Sequence, residues 1–521
     1  MGATLRAILS VYDKQGLADF ARALAALGFE VCATGKTAIA VAEAGVPVRR
    51  IEDVTGHPEM LDGRVKTLHP AIHAGLLADR DRPEHLAQLA EHDYQLVDVV
   101  AANLYPFQAT IELPDVTVDQ AIEQIDVGGV TLLRAAAKNF RHVVTVVDPA
   151  DYPAVVERLR NGTADLSWRR QLAAKAFRHV AVYDTHVAGF LQTDIDEFPE
   201  SFTVALAKVQ DLRYGENPHQ RAALYRQSPN PQPGASLAGS RQLHGRELSF
   251  NNILDVDAAY NSSRDFAAPT VAIVKHGNPC GLASAESLAG AYERAHAGDP
   301  LSAFGGAVGL NRPVDAETAR RIAESHYDDL IAPGFSDEAL ATLKRRRNLR
   351  IIQIDPASAS QEDQVVFPWL GLDYRRIGGG FLVQTPDALG EEEVTFRTAS
   401  EREPTPAELV SLRFAWRAVK HIRSNAIALA RGQELVGVGA GQMSRVDAVE
   451  IALRKAGNRA AGSVLASDAF FSHPDGPELA ARAGITAMIQ PGGAVHDEEI
   501  IKVANQYNIG MVMTGRRHFR H

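Results

Sequence analysis

Apolar and polar positions follow two different periods along this chain, and the period changes where turn residues stand. LRAILSVYD (5–13) reads as a buried strand, and KQGLADFARALAALG (14–28) carries apolar residues at helical spacing before closing on glycine. FEVCATG followed by TAIAVAEAG repeats the pair, and LVDVVAANLYPF, QAIEQIDVGGVTLLRAAAKNF and HVVTVVD continue it. Consecutive β-α units of this kind predict a doubly wound parallel sheet over residues 1–148. Residues 149–200 keep a helical but more polar pattern and predict a connecting segment. Beyond the loop SPNPQPGAS (228–236), strand-like VAIV, GGAVGL and ELVGVGAG alternate with helices such as PAELVSLRFAWRAVKHI. That alternation predicts a second α/β region over 201–521, in two lobes.

Composition narrows the class. A chain of 521 residues exceeds one ordinary core, and 45% hydrophobic with 23% charged residues is the balance of a globular protein. No apolar run reaches membrane-spanning length, and MGATLRAILSVYDK enters a strand at once, so the expectation is a cytoplasmic protein without a membrane partner. Cys32 and Cys280 are the only cysteines, too few for a disulfide framework or a thiolate cluster. A net charge of −10 argues against a general nucleic-acid binder but leaves anionic small molecules open to local basic pockets. The dense run Lys344, Arg345, Arg346 and Arg347 is expected to be a solvated face.

Several stretches carry candidate chemistry. In EVCATGKTA a P-loop would need glycine at position 30, where Glu30 stands. What remains is a strand, a turn of Thr34 and Gly35, and a helix N-terminus suited either to a phosphate monoester or to simple capping. LDGRVKTLHPAIHAG groups Arg64, Lys66, Thr67 and His69 for an anion or a developing oxyanion, against a bland charged loop. His69 and His73 lack a third metal ligand. Asn103 and Tyr105 end a strand in NLYPF, and Asp126 precedes the double glycine that opens a helix, either as its cap or as a site residue. Lys138 falls about three turns further on that helix.

AIVKHGNPCG (272–281) sets Lys275 and His276 side by side before a glycine-proline turn. Neighbours in a strand point to opposite faces, so joint proton-transfer work requires the strand to end at Val274 and the turn to swing both side chains over one cavity. The alternative is a solvated Lys beside a satisfied His. GVGAGQMSR misses the G-x-G-x-x-G spacing, and Pro279-Cys280 lacks the second cysteine of a zinc deaminase, since Ala283 stands there.

Taken in order, SVYDK, GRVKTLHPAIHAG, NLYPF, IDVGGVTLLRAAAKN, LRYGENPHQ, LSFNNILD, VKHGNPCG, SAFGG, SNAI, GVGAGQMSR, LASDAFF, IQPGG and RHFRH closely resemble one family over essentially the whole chain. It is the bifunctional purine-biosynthesis family with AICAR transformylase and IMP cyclohydrolase activities. The resemblance implies a methylglyoxal-synthase-like first domain that closes the purine ring. It also implies a C-terminal region of two cytidine-deaminase-like lobes, without zinc, that moves a formyl group from the co-substrate 10-formyltetrahydrofolate to AICAR.

By the same resemblance Lys66, Tyr105, Asp126 and Lys138 serve ring closure, with Arg64, Thr67 and Asn103 beside them and Lys14, Thr34, Gly35 and Thr37 at the phosphate. His276 is the transferase base and Lys275 its partner. Arg213, Tyr214, His219, Asn425 and Arg517 contact nucleotide, while Phe304, Gly305 and Asp328 line the nucleotide and folate pocket. The implied partners are AICAR, formyl-AICAR, folate and a second copy in a homodimer, with no metal and no nucleic acid. Among the departures from the family pattern are Tyr12 for serine, Lys36 for glycine, and, in FSHPD (471–475) against FPFRD, Pro474 for arginine. The first two flank the expected phosphate. The third removes a guanidinium from the transferase half, which sets a cyclohydrolase-only enzyme, or a silent purine-nucleotide-binding protein, beside the bifunctional expectation.

Overall fold

The computed structural model describes residues 5–113, 115–192, 198–201, 203–228, 233–355, 372–390 and 393–521. Residues 229–232 of the expected loop, and 1–4 of the N-terminal stretch, lie outside them. The chain divides into two compact units, the first built mainly on residues 1–207 and the second on 208–226, 232–359 and 371–521.

In the first unit Leu5–Val11 (β1), Phe29–Ala33 (β2), Arg49–Arg50 (β3), Val99–Asn103 (β4) and Val144–Val146 (β5) form one parallel sheet in the order β3-β2-β1-β4-β5. Parallel strands covered by helices on both faces are buried throughout, which explains why β1 and β4 read as near-continuous apolar runs. Helix Leu17–Ala26 seats Phe20, Ala21 and Leu24 on one face of the sheet.

Within the expected connecting segment, helices Tyr152–Arg160 and Leu166–Leu191 pack in the first unit. Tyr152 of helix Tyr152–Arg160 stacks on Phe20 with centroids 4.2 Å apart. The 26-residue helix Leu166–Leu191 buries Leu172, Ala176, Val180 and Tyr183. Their polar composition is compatible with this burial. Each helix needs only a narrow apolar stripe, and that stripe is filled.

The second unit is one twelve-stranded mixed sheet built twice from the same plan. Thr270–Lys275 and Asn278–Ser284 form a hairpin; Ala307–Leu310 runs antiparallel to the first of these and parallel to Asp329–Ala332, which continues to Arg350–Gln353 and the antiparallel edge strand Arg241–His244. Ile427–Arg431 and Glu434–Gly439 form the second hairpin, followed in the same order by Val464–Ser467, Ala487–Gln490, Gly510–Met513 and the edge strand Arg397–Thr398. The two hairpins lie side by side, paired at Ala283 and Glu434. This is the two-lobed region predicted from the strand and helix alternation.

Glycines set how closely helices approach the central hairpins. A Cβ at Gly281 would stand 2.0 Å from the Ala295 carbonyl oxygen of helix Leu288–Gly298, and one at Gly437 would stand 2.3 Å from Ala452 O in the second lobe. Both obstructing atoms are backbone and cannot rotate away. Gly281→Val is therefore expected to lower stability by about 2–3 kcal/mol, read as a drop in the urea midpoint. Unchanged stability would mean that the helix slides at little energy.

Candidate functional sites at two sheet rims

In the first unit the carboxyl ends of β1, β2 and β4 form one rim. Asn103 organises the end of β1: its Oδ1 accepts the Tyr12 and Asp13 N–H groups at 2.6 and 2.9 Å, and its Nδ2 donates to Asp13 O. Thr37 donates to Val11 O at 3.0 Å and accepts the Val11 N–H at 3.2 Å, so its buried hydroxyl clamps β1 to the following helix. Its one O–H is spent on Val11 O, which leaves a lone pair but no donor for a phosphate. Thr34 bonds Ser10 Oγ at 3.0 Å and does not cap helix Gly35–Glu43 with its side chain. The first-turn amides thus lack the simple cap that the sequence left as an alternative. Lys14 Nζ reaches Tyr12 O at 3.2 Å, and Lys36 is exposed beside Gly35.

The loop after Leu61 joins the same rim. Lys66 Nζ lies 3.3 Å from where a Gly35 Cβ would stand, and Thr67 Oγ1 lies equally close to that position at Gly128. Lys66 also pairs with Glu59 at 3.2 Å, and Arg64, exposed, pairs with Glu123. His69 Nδ1 accepts the Ala71 N–H and caps helix Pro70–Leu77, which is the work its ring performs here.

Asp126 is the half-buried acid of this rim. One carboxylate oxygen accepts the Gly129 N–H at 2.7 Å, and its own N–H donates to Tyr183 Oη at 2.6 Å. Burial raises the Asp126 pKa above the ordinary 3.8, against lowering by the Gly129 and Tyr105 amides. Asp126 is therefore both a helix-start residue and a perturbed acid. Tyr105 sits half-exposed, its ring edge-on to Tyr12 at 6.1 Å. Tyr183 Oη in turn donates to Gln124 O, a contact supplied by the helix that was expected to be a connector.

Lys138 does not join these residues. It ends helix Gly128–Lys138, which runs antiparallel to the strands and carries it roughly 15 Å from Gly128. There the adjacent Asn139 bonds Leu76 O and Ala78 O. Near that opposite edge lie Asp79, Asp81 and His142, the group among the described residues with ligand atoms close enough to share a cation.

In the second unit the strand does not stop at Val274 as expected. It runs through Lys275, which pairs with Asn278, and the two-residue turn His276-Gly277 has φ of 53° and 73°. Positive φ at both positions is the primed hairpin turn, and His276 is the non-glycine residue held there. Asp255 holds it: its two oxygens accept the His276 N–H at 3.1 Å and the Gly277 N–H at 2.7 Å. The His276 ring is exposed, while Lys275 Nζ donates to Phe304 O at 2.6 Å. The turn, rather than a shortened strand, frees the two side chains from strict opposition.

Residues the sequence reading passed over build the surroundings. Helix Phe250–Arg264 opens with a capping box between Ser249 and Asn252. Its first turns then reach three motifs: Asn251 bonds Glu216 O, Asn252 bonds Asp329 at 2.7 Å, and Asp255 takes the turn. Glu216 lies in the segment of Arg213, Tyr214 and His219, where the Arg213 guanidinium covers the Tyr214 ring at 5.6 Å. Buried Asp329 has its pKa raised to about 6 by burial, opposed by Arg350 and Asn252. Its neighbour Asp328 faces His326 at 3.7 Å, and His326 stacks on Phe304 at 4.8 Å beside Gly305, whose N–H bonds His326 O.

The second lobe meets the turn from the other side. Arg423 donates its N–H to Asn278 Oδ1 at 3.0 Å, and its guanidinium would lie 3.6 Å from a Gly277 Cβ. Asn425 bonds Gln442 O and Met443 O and accepts from Arg445, which pairs with fully buried Asp468. Ser424 bonds Asp468, and Arg520 N–H bonds Ser424 Oγ, bringing in the terminal segment where Arg517 lies over Phe519 at 4.6 Å. Pro474 precedes helix Asp475–Arg482, and the His473 ring lies 5.4 Å from that of His496. Asp255 and Asp468 were legible only as members of quoted motifs, and Arg423 lies between two of them. Nothing in their spacing assigns them a partner.

Comparison with known proteins follows the same division. A family profile described as AICARFT/IMPCHase bienzyme matches residues 136–455, and one described as MGS-like domain matches 16–131. Relatives named "Bifunctional purine biosynthesis protein PurH" are 51% identical in Halalkalibacterium halodurans over 518 residues and 51% in Chloroflexus aurantiacus over 524. One from Oceanobacillus iheyensis is 47% identical over 517. Each alignment covers 99% of this chain and 99% of the relative.

The raised pKa of Asp126 makes a linkage prediction. Folding favours its protonated form, so ionisation opposes folding, and wild-type stability falls as pH rises above its ordinary 3.8. Asp126→Asn removes that loss and keeps an oxygen for the Gly129 amide. Urea midpoints of the two proteins should converge at low pH and separate in the variant's favour toward neutrality. A wild type that gains stability over Asp126→Asn as pH rises would show that its carboxylate is stabilised by folding.

Proposed function

The chain belongs to the AICARFT/IMPCHase bienzyme family, and from that membership we propose how its two rims divide the chemistry. The protein performs the final two steps of IMP synthesis. It transfers a formyl group from 10-formyltetrahydrofolate to AICAR and then closes formyl-AICAR to IMP with loss of water.

Formyl transfer belongs to the second unit. The AICAR amine attacks the formyl carbon, the bond to the folate nitrogen breaks, and the amine's proton must leave as that nitrogen gains one. The amine is conjugated with its ring, so the step needs a base and a cation at the formyl oxygen. His276, presented on an exposed turn locked by Asp255, is the base. Lys275, tethered beside it through Phe304 O, supports the developing charge and the proton's passage. Arg213, Tyr214, His219, Asn425 and Arg517 are assigned to the nucleotide, with Phe304, Gly305 and Asp328 lining its pocket and that of folate. The observation that carries this reading is the meeting of motifs from both lobes at the His276-Gly277 turn.

Ring closure belongs to the first unit. A neutral carboxamide nitrogen attacks the formyl carbon, an oxyanion forms, and the resulting hydroxyl departs as water after protonation. Lys66 and the Tyr105 hydroxyl serve the oxyanion. Asp126, whose pKa is raised by burial, is the acid. Thr34, Gly35 and Lys14, with exposed Lys36, frame the phosphate, while Thr37 and Asn103 shape the strand ends beneath it. Arg64 and Thr67 flank Lys66. Lys138 has no seat at this rim within the chain itself. The reading includes a cytoplasmic homodimer; no helix among the described residues is long and apolar enough to cross a membrane.

A time course with purified protein, AICAR and 10-formyltetrahydrofolate, resolving formyl-AICAR from IMP, tests both rims. Appearance of IMP is expected. Formyl-AICAR accumulating without IMP would place a defect in the first unit, near Tyr12 and Lys36. Failure of transfer with intact conversion of supplied formyl-AICAR would make the Pro474 departure decisive and leave a cyclohydrolase alone. His276→Ala should reduce formyl transfer by about 10²–10⁴-fold and leave ring closure near wild type. Loss of both activities in a folded variant would sink the assignment of separate sites.

A further inference from the structure

The segment that carries Phe304 is fastened from the other lobe. Pro300–Ala303 is a four-residue helix in which Ala303 is the buried residue and Leu301 is 84% exposed. So short a helix, with so little apolar packing, does not hold its own position. Polar contacts at its start do so instead. Asp299 Oδ1 accepts the Ser302 N–H at 3.1 Å, and Asp299 Oδ2 accepts the Ser302 hydroxyl at 2.6 Å. Lys455, in the last turn of the second lobe's helix Arg445–Ala456, donates its Nζ to the same Asp299 oxygen at 2.6 Å and to Ser302 Oγ at 3.0 Å. Arg459, four residues on, donates to the Ala297 and Gly298 carbonyls at 2.6 and 2.8 Å, filling orphan acceptors where helix Leu288–Gly298 ends.

This clasp leads to the catalytic lysine. From Asp299 the chain passes through the short helix to Phe304, whose carbonyl accepts the Lys275 Nζ at 2.6 Å. Gly306 then abuts the strand that ends in Lys275, since a Cβ there would stand 2.7 Å from Val274 O. Residues 299–306 thus run from a cation of the second lobe to the amine of the first. Burial acts to raise the Asp299 pKa, but the bonds from Lys455 and Ser302 outweigh it and hold the carboxyl below its ordinary 3.8. Arg459 already joins the lobes through backbone carbonyls. Lys455 adds little to that junction and acts on the helix cap itself.

We propose that Lys455 and Asp299 are positioning residues for formyl transfer: their ion pair across the two lobes fixes the turn whose Phe304 carbonyl aims the Lys275 amine. The proposal rests on the role given above to Lys275. Neither Lys455 nor Asp299 touches a reacting group. Without the pair, Lys275 keeps its charge but its acceptor carbonyl is free to shift. A cation that supports developing charge works only where it is already aimed, so the loss falls on the chemical step.

The test measures kcat and the AICAR KM for formyl transfer at saturating 10-formyltetrahydrofolate in the wild type, Lys455→Met and Lys455→Arg. Methionine keeps the apolar stem without the ammonium, and arginine keeps the cation. Lys455→Met should lower kcat by about fivefold or more with the AICAR KM within about twofold, and Lys455→Arg should return kcat to within about threefold of wild type. Asp299→Asn keeps an oxygen for the Ser302 amide and should slow transfer to a similar extent. The double variant Lys455→Met/Asp299→Asn should be no slower than the slower single one, as for two partners of one interaction. Unchanged kcat in Lys455→Met, a loss that Lys455→Arg does not relieve, or additive losses in the double variant each overturn the proposal. A loss of kcat that tracks the unfolded fraction in urea does so too, by reducing the pair to a structural lobe contact. No transfer by the wild type overturns the role of Lys275 and this inference with it, whereas wild-type transfer with an insensitive Lys455→Met removes the inference alone.

Discussion

The second unit depends on one seam, where two hairpins lie antiparallel at the centre of a twelve-stranded sheet. Strand residues 271–274 are fully buried there, covered on both faces, so the register of the hairpin has no freedom to slip. The pairing of Ala283 with Glu434 runs the two hairpins in opposite directions. The His276-Gly277 turn of one lobe consequently emerges beside the end of strand Glu434–Gly439 and the loop that follows it in the other. Neither lobe contains the whole constellation. A buried apolar seam thereby determines which polar loops meet.

The duplicated plan also shows how one copy was specialised. The turn at Gly432-Gln433 is the structural counterpart of His276-Gly277, since Arg431 pairs with Glu434 as Lys275 pairs with Asn278. Gly432 takes its positive φ at no steric disadvantage, whereas His276 takes the same conformation against its own Cβ. Asp255 accepts both amides of the His276 turn, whereas at the other turn Ser411 Oγ accepts the Gly432 N–H at 2.9 Å. The two turns thus differ in residue and in anchor: a carboxylate holds two amides where the first central residue carries a Cβ, and a hydroxyl holds one where that residue is glycine.

In the first unit the constraint is the parallel sheet itself, which places every strand's carboxyl end on one rim. Thr37 and Asn103 spend their hydrogen bonds on the backbone of that rim, and Asp126 lies half-buried just behind it. Shape and acidity have separate owners: residues that look like ligand contacts hold the backbone, and the acid is tuned by the helix that covers it.

The sequence by itself determined the alternation of elements, the parallel sheet, the two-lobed second region and the motifs that locate both rims, because these depend on local period, turn chemistry and short ordered spacings. Thr34, Gly35, Lys66, Tyr105 and Asp126 were legible as candidates for that reason. Only the tertiary structure decided that Leu166–Leu191 packs as core, that the Thr37 hydroxyl is consumed by Val11, and that Lys138 faces the opposite edge. It alone decided that Asp255 locks the His276 turn and that Arg423 and Asp468 border it. These depend on contacts between residues up to 145 positions apart. Such contacts are set by burial of apolar faces in three dimensions, which leaves no periodic trace around the polar residues it brings together.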